Sequence, residues 1–307
     1  MAVINYGELG SITQKYFYPK LVDNIFTSNP LLMRARKKWL TLVDGGTQLV
    51  APVAYATTTA AGWYNGGSDT LQVASNDQID SAVLDWAYAY ANITIQRKDE
   101  LINAGKAAIV NFVKAKVQLA EKTLADTLGT GLYNLGTTPN ALVGLRLAVG
   151  TGRTYAGINS STYSWWNAQI DSTTTILTIP AMQALWGSCV IGNDKPSILV
   201  GTQATQNDYY SLLQPQQRFQ DEDTASGGFT NLMYNGVPFV VDNHCPAHYL
   251  YMLNEDYLHL MIMQEENFRF EPFQKPINQN ASSAKIYFAG QLVLNNPRMC
   301  GSFSAIV

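Results

Sequence analysis

Between residues 85 and 95 the chain alternates with a period of two. Trp86, Tyr88 and Tyr90 fall on one side of an extended strand and Ala87, Ala89 and Ala91 on the other. Rings fill one face, and the small face admits another element closely. Directly afterwards the period lengthens. Ile102, Ile109, Val113, Val117, Ala120, Leu124 and Leu128 recur at three, four or seven residues, the apolar stripe of a helix over 97–128. Asn111, Lys114, Gln118 and Lys122 hold its polar side. Asp99 and Glu100 sit in the first turn, where the helix dipole favours carboxylates, and Gly129 and Gly131 mark the end. At 1.5 Å per residue such a helix runs about 45–50 Å, a spine on which other pieces are mounted.

Upstream, residues 41–80 read as an outgoing strand, a Thr/Ala/Gly-rich tip at 57–68 and a returning strand. An uncovered loop in a compact domain becomes unusual beyond ~12–15 residues, and a two-stranded ribbon alone is marginal in water. The pattern predicts an arm that lies on another subunit. Residues 12–38 carry mixed helical signals broken at Pro19 and Pro30. The Gly/Thr-rich stretch 129–157 reads as a hinge between two domains, after which the pattern becomes α/β. A helix begins near Pro180, a buried strand spans 197–202, a second helix spans 203–213, and Asn235-Gly236 signals a two-residue hairpin. Strands at 248–254, 257–263, 267–273 and 285–294 close the chain, with residues 275–283 as the loop before the last.

Composition points the same way. Charged residues make up 14% of the chain, against about 25% in an ordinary soluble domain. That leaves two readings: a monomer solvated by Ser, Thr, Asn and Gln, or a surface that meets copies of itself, since charge is depleted at interface centres. Net charge is −3, split as +2 over residues 1–122 and −5 over 123–307, which excludes a strongly basic nucleic-acid reader. The densest basic run, RARKK at 34–38, is either the solvated face of a short helix or a phosphate-contacting patch. No segment approaches the ~18 apolar residues of a membrane helix, and the N-terminus lacks a signal-peptide pattern. Three widely spaced cysteines, Cys189, Cys245 and Cys300, make a disulfide framework improbable and fit a reducing cytoplasm.

Candidate chemistry is sparse. An imidazole base has to come from His244, His248 or His259. His244, Cys245 and His248 lie too close together in sequence, with no second Cys or His pair, to complete a tetrahedral metal set. The acidic run 221–223 beside Gly227-Gly228 lacks the spaced ligands of a calcium loop. The GTG at 129–131 and GTGR at 150–153 complete neither a phosphate loop nor a dinucleotide fingerprint. The aromatic cluster at 161–166 suits base stacking or, more simply, a core or interface anchor. No cofactor and no metal is expected.

The order arm, strand, spine helix, α/β domain and return hairpin resembles the major capsid protein of tailed bacteriophages, the Hong Kong-97 type shell fold. Local phrases carry the likeness: RKDELINAGKAAIVNFVKAK (97–116) into AEKTLADTLGTGLYN (120–134), GRTYAGINSSTYSWWNAQ (152–169), and LLQPQQRF (212–219) followed by GVPFVVDNHCP and YLYMLN. The resemblance implies an α+β chain divided into an N-arm (1–40), an extended loop (41–80), a peripheral domain (81–133 and 257–294) and an axial domain (134–256 and 295–307). It implies contacts between subunits through the loop tip, at Thr57, Thr58, Trp63, Tyr64 and Asn65. It implies further contacts through the peripheral-domain loop, at Phe273, Lys275, Pro276 and Asn278. One side of the spine helix would face the shell interior, where Lys106, Lys114, Lys116 and Lys122 could meet double-stranded DNA weakly.

The implied partners are copies of itself in hexamers and pentamers, a portal and a decoration protein. Because only about forty residues precede the extended loop, a separate scaffolding protein is also expected. The subunit would be assembled in a bacterial host cytoplasm and reside in the virion capsid. A nanocompartment shell of the encapsulin kind shares the fold, and a soluble α/β enzyme is the reading from a different class. No lysine lies between Lys38 and Lys98, so the lysine–asparagine crosslink known in the namesake of the family is not available from this loop.

Overall fold

In a computed structural model, residues 29–307 are described except 74–75, 103–105 and 214–231, and the side chains of 100 and 102–112 lie outside the description as well. Helix α1 (Pro30–Lys38) starts with proline at its first position, and the Asn29 side chain accepts the Leu32 amide as its cap. It leads through β1 (Leu40–Val43) to β2 (Leu49–Ala54) and β3 (Ile79–Leu84), which pair as a separate antiparallel ribbon, Leu49 opposite Leu84 and Ala54 opposite Ile79. Then come β4 (Ala87–Gln96), α2 (Arg97–Ile102) and α3 (Lys106–Gly131). The helix expected over 97–128 is thus present as two described segments, the second running on to Gly131.

The next part holds α4 (Leu145–Ala148), the small hairpin β5 (Thr154–Tyr155) with β6 (Ile158–Asn159), β7 (Gln169–Asp171), α5 (Ile179–Cys189), β8 (Ile198–Gly201) and α6 (Gln203–Leu213). After it come β9 (Met233–Tyr234), β10 (Val237–Val241), β11 (Leu250–Leu253), the long pair β12 (Leu258–Gln274) and β13 (Ala281–Leu294), and β14 (Gly301–Phe303). Asn235 and Gly236 both take positive φ (49° and 78°), the backbone that a two-residue hairpin between β9 and β10 requires. The acidic run 221–223 lies outside the described residues.

Two sheets carry the fold. A four-stranded sheet has the order β1-β12-β13-β4, and a six-stranded one β7-β14-β11-β8-β10-β9. With 27% helix, 34% strand and largely antiparallel pairing, the chain is α+β. The six-stranded sheet is covered on both faces. Leu199, Leu250 and Met252 pack with Met182, Trp186 and Phe303, while Ile198, Val200, Tyr251 and Leu253 point into the larger core. That is why its central strands read as unbroken apolar runs (ILVG, LYML).

Three details differ from the sequence reading. The strand expected over 85–95 starts at Ala87, because the chain turns at Asp85–Trp86. The buried Gln291 amide donates to the Asp85 carbonyl (2.9 Å), and Trp86 swings into the core with its ring N–H on the Gly46 carbonyl (2.9 Å). Tyr88 and Tyr90 stay exposed, while Ala87, Ala91 and Ile93 join Ala120, Leu124 and Leu128 of α3 in the core. The strands expected at 257–263 and 267–273 are one, β12, carried past register shifts near Asn267. Finally, Leu40–Val43 runs parallel to Leu260–Met263 as an edge of the four-stranded sheet rather than in the ribbon.

Candidate functional site

The ribbon is firmly rooted and its end is bare. Tyr55 stacks on Trp165 with ring centres 5.2 Å apart and planes 13° from parallel, and its amide donates to the Gln78 carbonyl at 2.9 Å. The Val83 amide donates to the Ala156 carbonyl of the β5–β6 hairpin, also at 2.9 Å. Beyond this root, Thr57, Thr58, Trp63, Tyr64 and Asn65 are all exposed, Trp63 completely so. Leu71, Val73 and Ile79 add to the uncovered apolar surface. Apolar area of this kind on one projecting element is the usual mark of an interaction surface.

A second projecting element is the turn between β12 and β13. Lys275, Pro276 and Asn278 are exposed there beside a fully exposed Ile277. Phe273 is half-buried and meets the Phe270 ring edge-to-face, with 6.2 Å between centres. These residues and the ribbon tip lie on different elements, so one chain presents two separate exposed surfaces. On α3, Lys114 and Lys116 are exposed and Lys122 is half-buried; the side chain of Lys106 lies outside the description.

Away from the ribbon tip, charged groups tie α1 down. Glu255 is buried, and its carboxylate takes two parallel hydrogen bonds from Arg34 (2.6 and 2.9 Å) and others from Lys38 (3.3 Å), the Trp39 ring (3.1 Å) and the Ser197 hydroxyl (3.0 Å). Burial alone would raise the pKa of Glu255, but the Arg34 and Ser197 hydrogen bonds outweigh it and hold the carboxyl below its usual range. The basic run is therefore neither a wholly solvated face nor a phosphate patch. Arg34 and Lys38 serve one buried acid, and the Arg36 guanidinium lies 5.2 Å from the centre of the Phe268 ring.

The aromatic cluster at 161–166 is an anchor. Trp166 is buried, stacks on Tyr155 (5.9 Å between centres) and donates its ring N–H to the Tyr155 carbonyl at 3.0 Å. The Tyr155 hydroxyl accepts the Leu294 amide at 2.8 Å. Arg153 donates to the carbonyls of Leu147 and Ala148 at the end of α4 and lies over the Tyr155 ring; burial lowers its guanidinium to about 10.

The histidines do not converge. His244 lies between Asp242 and Asp126, His248 faces the Ile306 carbonyl (2.5 Å), and His259 stands apart on β12. Burial lowers the proton affinity of His259. Among the described residues no group of three or more His, Cys, Asp or Glu is placed to hold a metal ion, and no helix is long and apolar enough to cross a membrane.

Known shells share this architecture from end to end. The subunit of the cyanophage A-1(L) capsid aligns with a TM-score of 0.73 at 19% identity, over 96% of this chain and 97% of that one. The Hong Kong-97 type shell fold is this chain's fold. The capsid of a native GTA particle aligns at a TM-score of 0.66 and 11% identity, over 99% and 100% of the two chains. The SrpI encapsulin of Synechococcus elongatus PCC 7942 aligns at 0.63 and 10%, over 100% and 96%. No protein-family model and no curated protein matches the sequence.

Sequence reasoning passed over the residues that hold the ribbon and the N-terminal helix. Glu255 carries no signal of its own in the sequence. The usable signal was on the other partner: Arg34 and Lys38 are four apart, on one helix face, and so able to share a single carboxylate. Tyr55 gave no signal, because its ring partner lies 110 positions away.

Proposed function

We propose that this protein is the major capsid protein of a tailed bacteriophage, a structural subunit that assembles into hexamers and pentamers of an icosahedral head around double-stranded DNA. The observation that carries this reading is the end-to-end match to capsid subunits, with 96–100% of both chains aligned and no domain left over for another task. Its physical support is the uncovered ribbon tip, which is apolar at Trp63, Tyr64, Leu71 and Val73 and finds cover only on another molecule. Heterologous contacts of this kind close into rings, and two ring sizes give the curvature of a shell.

In this reading the four divisions 1–40, 41–80, 81–133 with 257–294, and 134–256 with 295–307 are the N-arm, extended loop, peripheral domain and axial domain. Thr57, Thr58, Trp63, Tyr64 and Asn65 clasp one neighbour. Phe273, Lys275, Pro276 and Asn278 meet others near local threefold axes. The spine-helix lysines face the packaged DNA. A scaffolding protein, a portal and a decoration protein complete the assembly, which takes place in the host cytoplasm.

Electron microscopy of the purified protein tests the proposal. Closed particles of uniform size are expected, and a protein that stays monomeric at high concentration, with or without a scaffolding partner, refutes it. The encapsulin match supports a second reading, a nanocompartment shell. Particles from the native host that hold a cargo enzyme instead of DNA would favour that one.

A further inference from the structure

The spine helix and the N-terminal helix are joined by a line of polar groups that shell building does not explain. On α3, Asp126 Oδ1 lies 2.8 Å from Nε2 of His244. The other ring nitrogen, Nδ1, lies 3.2 Å from Oδ1 of Asp242, which also accepts the His244 amide at 2.9 Å. The second oxygen of Asp242 accepts the Leu31 amide of α1 at 3.3 Å. The line runs from a carboxylate on one helix, through a ring on the β10–β11 connection, to the backbone of another helix. Its ends are 95 residues apart in sequence.

Each link has a physical reason. Asp242 is fully buried, and a buried carboxylate is stable only when donors surround it. Leu31 supplies one of the first amides of α1, which have no partner inside the helix and carry its positive end. The His244 side chain is 8% exposed, and the hydrogen bond at one ring nitrogen fixes what the other can do. Asp126, 42% exposed, is the open end of the line. Without it the ring loses one of its two anchors, and Asp242 loses the neighbour that aligns it on Leu31.

We propose that Asp126, His244 and Asp242 form a positioning relay through which the spine helix sets how firmly α1 is docked. Asn29 makes a second, direct link. It caps α1 at Leu32 (3.1 Å) and donates to the Ala125 carbonyl of α3 (3.4 Å). It fits because residue 129 is glycine; a Cβ there would lie 1.9 Å from the Asn29 amide nitrogen. Cutting the relay therefore loosens α1 without releasing it. A shift of α3 along its own axis reaches α1 as a change in the alignment of Asp242.

Amide hydrogen exchange on the intact protein, read by mass spectrometry on a peptide spanning residues 29–39, tests the relay. Asp126→Ala removes the open end, at a site where no core contact is lost. Exchange at the start of α1 is expected to speed up about fivefold, with peptides over β8 and β11 unchanged. Glu121→Ala, which removes an exposed carboxylate from the same helix, is expected to change nothing. Asp126→Ala combined with His244→Asn should exchange no faster than His244→Asn alone. Exchange at α1 within twofold of the wild type in Asp126→Ala overturns the proposal, as does a speed-up spread equally over β8 and β11. Should His244→Asn fail to fold, the Asp126→Ala result decides alone.

Discussion

Arg34 grips Glu255 with two parallel hydrogen bonds across 221 positions of sequence, and Glu255 itself is buried beside the end of the six-stranded sheet. Bidentate geometry makes this pair stronger than a surface ion pair. Replacing Glu255 by Gln leaves two cations facing a neutral amide and is expected to lower stability by about 2–3 kcal/mol, the low end for a broken buried pair because Arg34 keeps some solvent. Lys38→Ala, at a half-exposed position, should cost under about 1 kcal/mol. Urea unfolding midpoints check both, and an E255Q chain as stable as the wild type would show that the clamp holds nothing.

The same carboxylate gives an acid limit. Its affinity for protons is lower in the folded chain than in the unfolded one, so its contribution is complete above the ordinary carboxylate range and is lost as pH falls through the folded value. His259 acts in the same direction at higher pH. Burial keeps its ring neutral, so the stability it lends is present above the usual imidazole range, ~6.5, and declines as pH falls below it. Thermal unfolding followed from pH 8 downward should show two losses, the first absent in His259→Gln and the second reduced in Glu255→Gln.

Deleting residues 57–68 is expected to leave a folded subunit and to abolish closed shells. The register of β2 with β3 ends at Ala54 and Ile79, outside the deleted segment, and the exposed tip supports no core. Circular dichroism reports the first half and microscopy the second. Closed particles of normal stability from the deletion chain would remove the tip from assembly.

On the proposed function, shells of this protein should fall apart to single chains in hot denaturing detergent. No lysine lies between Lys38 and Lys98, and the three cysteines are free and buried. Burial raises the thiols of Cys189 and Cys300 to about 12, so they carry little reactive thiolate at neutral pH. Ladders that survive detergent and reductant would reveal a crosslink of another kind.

Changing Lys114 and Lys122 to Glu separates assembly from packaging. Four lysines against Glu121 and Asp126 over the helix leave a surplus of two charges per subunit, too small for tight binding. Normal empty shells with a reduced DNA load are expected, measured by the ratio of absorbance at 260 and 280 nm. An unchanged load would leave those lysines as solvation of an exposed helix face.

Local patterns carried most of the fold. Periods of two and 3.6 located β4 and the spine helix, Pro180 and Asn235-Gly236 marked a helix start and a hairpin, and the missing apolar cover of 57–68 pointed outward. What escaped was pairing between distant residues. Leu40–Val43 joins the sheet only because it meets Leu260–Met263, and no residue near it records that partner. Trp86 alternates with Tyr88 and Tyr90 as if it shared their face, yet a buried Gln291 bends the backbone first. The bareness of the ribbon tip was readable, because residues 57–68 are too poor in apolar side chains to form a core. The groups that hold α1 and the ribbon in place were not, because each is one half of a pair.

The stack of Tyr55 on Trp165 marks where folding stops governing the loop. Up to that ring pair, and to the Tyr55–Gln78 hydrogen bond beside it, β2 and β3 hold each other in register within one subunit. Past it, the tip residues 57–68 can gain, lose or exchange side chains while β2 and β3 keep their register. Changes that suit a new neighbour arise there without opposition from the core. On the proposed function, the contact surface between copies is thus free to drift at a rate of its own, while the molecule that carries it stays the same.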